Sequence, residues 1–164
     1  MVLPQFIETI EQSGLSNWVR GDTFWFILSV HAVGMALLVG GSAIIDLRIL
    51  GVARDLPIAP LKRLYGLIWT GFWIQVLSGV LLLIGYPTKS LTNIDFYVKL
   101  GLIALALIIT QMLKSRIFGD STLSDIEMMA KGKVLAGFSL LFWFGVVTSA
   151  RLLAYTYTCV SYPC

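Results

Sequence analysis

The chain's only histidine, His31, stands in the middle of the apolar run FWFILSVHAVGMALLVGGSAIIDLR, residues 24–48. An imidazole in hydrocarbon has two ordinary uses. It bonds one helix to another, or its free nitrogen ligates a metal, above all the iron of a haem. Its surroundings bear on the choice. Residues 31, 34, 38, 41 and 45 read His, Gly, Leu, Gly, Ile along one helical stripe. Gly34 and Gly41 remove side-chain volume there, either to let another helix approach or to leave a slot for a flat ring. Further polar residues interrupt other apolar runs, among them Gln75, Ser78, Lys99 and Arg151. Groups of this kind are costly in lipid and generally face the interior of a bundle. Lys99 and Arg151 are suited to the carboxylates of a ring, or to snorkelling toward headgroups. Gln75 is suited to a bond with a neighbouring helix.

The elements that must position these groups follow from composition. Of 164 residues, 57% are hydrophobic and 13% charged, and the mean hydropathy is +0.85. A soluble domain of this size could not bury so much apolar surface, so the partner of most of it is a lipid bilayer. Four runs near 23–47, 64–86, 96–114 and 134–157 each approach the ~20 residues a spanning helix requires. Within a bilayer the backbone must satisfy itself, and short connections make the helices antiparallel neighbours. The expected fold is all-α: an integral membrane four-helix antiparallel bundle over 23–157. Residues 1–22 are expected to form an interfacial amphipathic segment, because Phe6, Ile7 and Ile10 share a helical face and Trp18 supplies an anchor. Residues 158–164 remain as a tail. No phosphate loop, zinc spacing or nucleophile elbow appears, and no basic stripe suited to nucleic acid.

Charge sets the orientation. Arg48, Arg54, Lys62 and Arg63 fall in the first connection, and Lys114, Arg116, Lys131 and Lys133 in the third. The positive-inside rule therefore places those connections in the cytoplasm and both termini outside, which in a bacterium is the periplasmic side of the inner membrane. At ~1.5 Å per residue, His31, Gln75, Lys99 and Arg151 then all lie in the outer half or near the midplane. Cys159 and Cys164 fall on the oxidising side, where a disulfide is expected, the alternative being two free thiols near the chain end. Asp46, at the inner end of the first helix, is expected to clamp Lys62, Arg63 or a residue of the third connection.

A single histidine excludes bis-histidine haem within one chain, and Met35 lies one turn from His31 on the same helix, too near along it to close on the same iron. A b-type haem with His31 as its one histidine ligand, a His31/Lys99 pair, a pair shared between subunits or a chlorophyll-type pigment remain. The segments LSVHAVGMALLVGGSAIIDLRILG, SGVLLLIGYPTKSLTNIDFYVKLGLIALAL and WFGVVTSARLLAY resemble an uncharacterised family of bacterial four-helix integral membrane proteins. More distantly they are similar to the membrane domain of CopD copper-resistance proteins and to HemJ-type protoporphyrinogen oxidases. That resemblance implies a haem site at His31 and Lys99. The leading expectation is a small membrane protein that holds a tetrapyrrole for electron transfer or for a larger redox assembly. The alternative is a cofactor-free accessory subunit packed against other subunits of a respiratory or photosynthetic complex. Porphyrinogen oxidation and copper transport stand behind these, and no catalytic residue is singled out.

Overall fold

The computed structural model describes residues 5–52, 55–119 and 124–155. Among them every regular element is helical. Four helices are long and apolar enough to cross a membrane: α3 (Phe24–Leu50), α4 (Leu64–Gly85), α6 (Ile94–Phe118) and α7 (Asp125–Tyr155). Three short helices accompany them: α1 (Gln5–Glu11), α2 (Gly14–Arg20) and α5 (Pro87–Leu91). A 3-10 turn, Ala59–Arg63, leads into α4. The fold is the expected membrane four-helix bundle. One end carries the α3–α4 and α6–α7 connections and is called the basic end below.

Packing is uneven around the bundle. α3 lies against α4 and α7, and α6 lies against α7, whereas α4 and α6 scarcely touch. The α3–α4 contact is made by glycines. A Cβ on Gly71 would sit 2.7 Å from the Leu38 nitrogen and 2.9 Å from the Gly34 carbonyl oxygen. A Cβ on Gly34 would meet Ile74 Cγ2 at 2.7 Å, and one on Gly41 would meet Ile68 Cγ1 at 2.9 Å. In a membrane, such close backbone approach supplies the dispersion contact that water exclusion supplies elsewhere. The core toward the basic end gathers Ile45, Ile49, Tyr65, Ile68, Leu113 and Ile117. Outward faces carry large apolar side chains such as Trp25, Trp73, Ile108, Leu141 and Phe144, exposed to the bilayer.

Three boundaries differ most from the sequence expectation: the start of α7, the end of α3, and the end of α6, which runs on past 114 to Phe118. α7 begins nine residues before 134, because Ser124 and Glu127 form a reciprocal cap: Glu127 Oε2 accepts from Ser124 N at 2.9 Å and from Ser124 Oγ at 2.8 Å. Lys131 and Lys133 are therefore helical residues. α3 runs on to Leu50 and stops at Gly51, whose φ of 100° lies in the left-handed region glycine tolerates. The N-terminal segment is a pair of helices hinged at Ser13, whose hydroxyl accepts from Ser16 N at 3.2 Å. It docks on the bundle: Ser16 Oγ donates to the Gly85 carbonyl at 3.3 Å, and Thr88 Oγ1 donates to Glu11.

The clamp at the basic end is Arg48, not Asp46. Arg48 is 4% exposed. It donates to the Leu56 carbonyl and to Met129 Sδ, and pairs with Asp125 at 3.4 Å. Asp46 has turned inward instead, into the core, and forms no ion pair among the described residues. One helical turn is 3.6 residues, so Asp46 and Arg48 point in different directions; the longer side chain reaches the neighbouring elements.

Candidate functional site

A cavity of about 470 Å³ opens inside the bundle, within the roughly 300–1,000 Å³ common for small-molecule sites. It lies where α4 and α6 fail to close. α3 contributes His31 and Met35, α4 Phe72, Gln75 and Gly79, α6 Phe96 and Lys99, and α7 Trp143. Val80 and Leu100 also line it while each remains about half exposed, 50% and 48%. The cavity therefore borders the outer apolar surface between α4 and α6.

The orientation of His31 is decided by its neighbour. Ser78 Oγ lies 2.5 Å from the Ile74 carbonyl oxygen and 2.9 Å from His31 Nδ1. A hydroxyl has one proton. Ser78 donates it to Ile74, one turn back along α4, and so accepts from His31 Nδ1–H. The neutral imidazole then keeps its lone pair on Nε2. No hydrogen bond reaches Nε2 among the described residues. Gly79 lies against the ring: a Cβ there would be 3.4 Å from His31 Cε1, in ordinary van der Waals contact. Lys99 lines the same cavity as the imidazole and has no salt bridge among the described residues. Gln75 Oε1 is buried without a hydrogen-bond partner.

Of the polar residues singled out from sequence, His31, Gln75 and Lys99 converge on this cavity. Arg151 does not. It is exposed and stacks over the Tyr155 ring at 4.7 Å, where aromatic contact and snorkelling satisfy a cation at a helix end. Gly34 and Gly41 do not line the cavity either; the space they leave is filled by Ile74 and Ile68. Cys159 and Cys164 lie outside the described residues. Among the aromatic residues, Trp143 walls the cavity together with Phe72 and Phe96, while Trp73 and Phe144 face outward. Gly79 was legible only as one glycine among many, since its role depends on which face of α4 meets His31.

Among the described residues no cluster of three metal-ligating side chains exists. A tetrapyrrole brings most of its own ligands. It needs an axial nitrogen, an apolar cleft and polar partners at its edge. Of those needs the residues present offer the His31 imidazole, a largely apolar lining and, in Lys99, a cation for a carboxylate.

Fold and site together define a membrane-type four-helix bundle with a histidine-lined internal cavity. Comparison with known proteins found no matching family model, no matching curated protein and no matching solved structure.

Proposed function

We propose that the cavity binds a planar tetrapyrrole, b-type haem in the first instance, which His31 would hold through Nε2. The carrying observation is the contact of His31 Nδ1 with Ser78 Oγ, whose hydroxyl also reaches the Ile74 carbonyl; with Ser78 donating to Ile74, the lone pair of the imidazole is left on Nε2. His31 and Lys99 are also the two positions by which the sequence resembles CopD and HemJ-type proteins. In this reading Ser78 fixes the imidazole, as outer partners of metal-bound histidines generally do. Lys99 would hold a carboxylate of the ring, and Phe72, Phe96 and Trp143 would supply the apolar lining of its pocket. A bound haem supplies one-electron transfer at its iron, and the protein serves electron transfer or a larger redox assembly. The gap between α4 and α6 gives a lipid-soluble ring a route from the bilayer. The protein sits in a bacterial inner membrane with its basic end in the cytoplasm and both termini outside.

The test is the absorbance spectrum of the purified protein before and after dithionite. A Soret band that sharpens on reduction and is absent from a folded His31→Ala variant is expected. A colourless protein that also fails to take up added haem overturns the reading.

A further inference from the structure

Away from the His31 cavity, an open groove of about 800 Å³ runs along the outward face of α6 toward the basic end. Its chemistry changes in order along the helix. Ile108 and Met112 line its apolar part, Gln111 and Ser115 follow, and Lys114 lies beside them. Lys62 reaches in from the 3-10 turn before α4. Six residues, ~9 Å along the axis, separate Ile108 from Lys114. The polar layer on each side of a bilayer is roughly 5–8 Å thick. A helix at this level therefore passes from acyl chains to headgroups within the length of the groove.

Both cations are positioned by neutral groups. Lys62 Nζ donates to the Phe118 carbonyl at 3.5 Å, and Lys114 lies over the Tyr65 ring at 5.4 Å. Tyr65 is buried and meets Phe118 edge-on at 5.7 Å, so the start of α4 and the end of α6 form one platform under the two lysines. Neither lysine has a salt bridge among the described residues. No carboxylate is among the described residues that line the groove. An ammonium has three N–H donors, so both retain donors for an anion. Gln111 is exposed on the same face, where an amide costs least beside a polar group of the lipid itself. Lysines that only mark one side of a membrane need no groove. Lys131 and Lys133, exposed on α7 at the same end, line neither this groove nor the His31 cavity.

We propose that this groove binds one anionic phospholipid. Lys62 and Lys114 hold its phosphate, Gln111 and Ser115 bond its glycerol and ester oxygens, and Ile108 and Met112 carry an acyl chain. Basic pockets beside membrane helices select such headgroups because charge and depth match together. A second protein segment would have to bring an anion and an apolar surface in that same order; a phospholipid carries both in one molecule, already at that level. The bound lipid bridges α4 and α6, which otherwise scarcely touch. Its binding is independent of what the His31 cavity holds.

The experiment places the full-length protein in phosphatidylcholine vesicles containing a low fraction of phosphatidylglycerol with a photoreactive diazirine in one acyl chain. After irradiation the labelled peptides are mapped. Labelling is expected to concentrate in residues 107–118, and to be competed by unlabelled phosphatidylglycerol but not by added phosphatidylcholine. Lys62→Gln with Lys114→Gln is expected to lower it about 25-fold, the product of about fivefold for each basic side chain near an anionic headgroup. Lys131→Gln with Lys133→Gln removes the same charge from the same end and is expected to leave it unchanged. Label spread evenly over the lipid-facing helices, or lowered equally by both pairs of substitutions, overturns the proposal. So does displacement by dissolved glycerol phosphate, which would make the groove a site for a soluble anion. Should the first pair not fold, the wild-type map and its lipid competition decide the matter alone.

Discussion

His31 Nδ1 and Ser78 Oγ lie 2.9 Å apart across the α3–α4 contact, and Ser78 has already given its proton to Ile74. With the hydroxyl proton directed to Ile74, the imidazole is the donor in that bond and Nε2 is the nitrogen left without one. A serine 47 residues away in the chain thus decides what a histidine can do. The following outcomes depend on this and on the packing that brings the two together.

Ser78→Ala removes the acceptor and frees the imidazole to change tautomer or rotate. Haem affinity, measured by titrating the purified protein, is expected to fall by roughly 10–100-fold, the usual cost of losing a partner behind a metal ligand. Ser78→Thr retains the oxygen and is expected to stay near wild type.

Lys99 is expected to act on charge at the ring's edge. Haem should bind about tenfold or more tightly than its dimethyl ester, the scale of one charge-assisted hydrogen bond. In Lys99→Gln that preference should vanish. A wild type indifferent to esterification would assign Lys99 another role.

Gly71→Ala places a methyl group against the backbone of α3, where the nearest atoms are the Leu38 nitrogen and Gly34 oxygen rather than a flexible side chain. The helices must separate. A loss of about 1–3 kcal/mol is expected from overpacking, read as a lower midpoint in thermal or detergent unfolding. Gly101→Ala, where a Cβ meets nothing within 4 Å, is the matched control and should be neutral or slightly stabilising.

At the basic end, Arg48→Ala should cost more than Asp125→Ala. Losing Arg48 leaves the Leu56 carbonyl and Asp125 without that donor, whereas Asp125 is 44% exposed and solvates readily. About 3 kcal/mol against about 1 kcal/mol is expected from the difference between buried and surface ion pairs. Equal losses in the unfolding midpoint would place the weight of the clamp on Asp125.

Sequence alone was enough for the four spans, because a run of apolar residues against the thickness of a bilayer is a local comparison that needs no knowledge of the neighbours. The cap at Ser124–Glu127 is equally local, a Ser-x-x-Glu spacing four residues long, and it accounts for the early start of α7. The convergence of His31, Gln75 and Lys99 was half legible, as a shared depth. Depth follows from counting along a helix; azimuth does not, since it depends on how each helix is rotated against the others. Tertiary packing therefore decided that Gly34 and Gly41 seat isoleucines of α4, that Gly79 lies against the imidazole, and that Arg151 turns away. It also decided that Arg48 reaches α7 while Asp46, two residues earlier, is shut into the core. A residue's chemistry is written in its type, but what it faces is set by side chains tens of residues away.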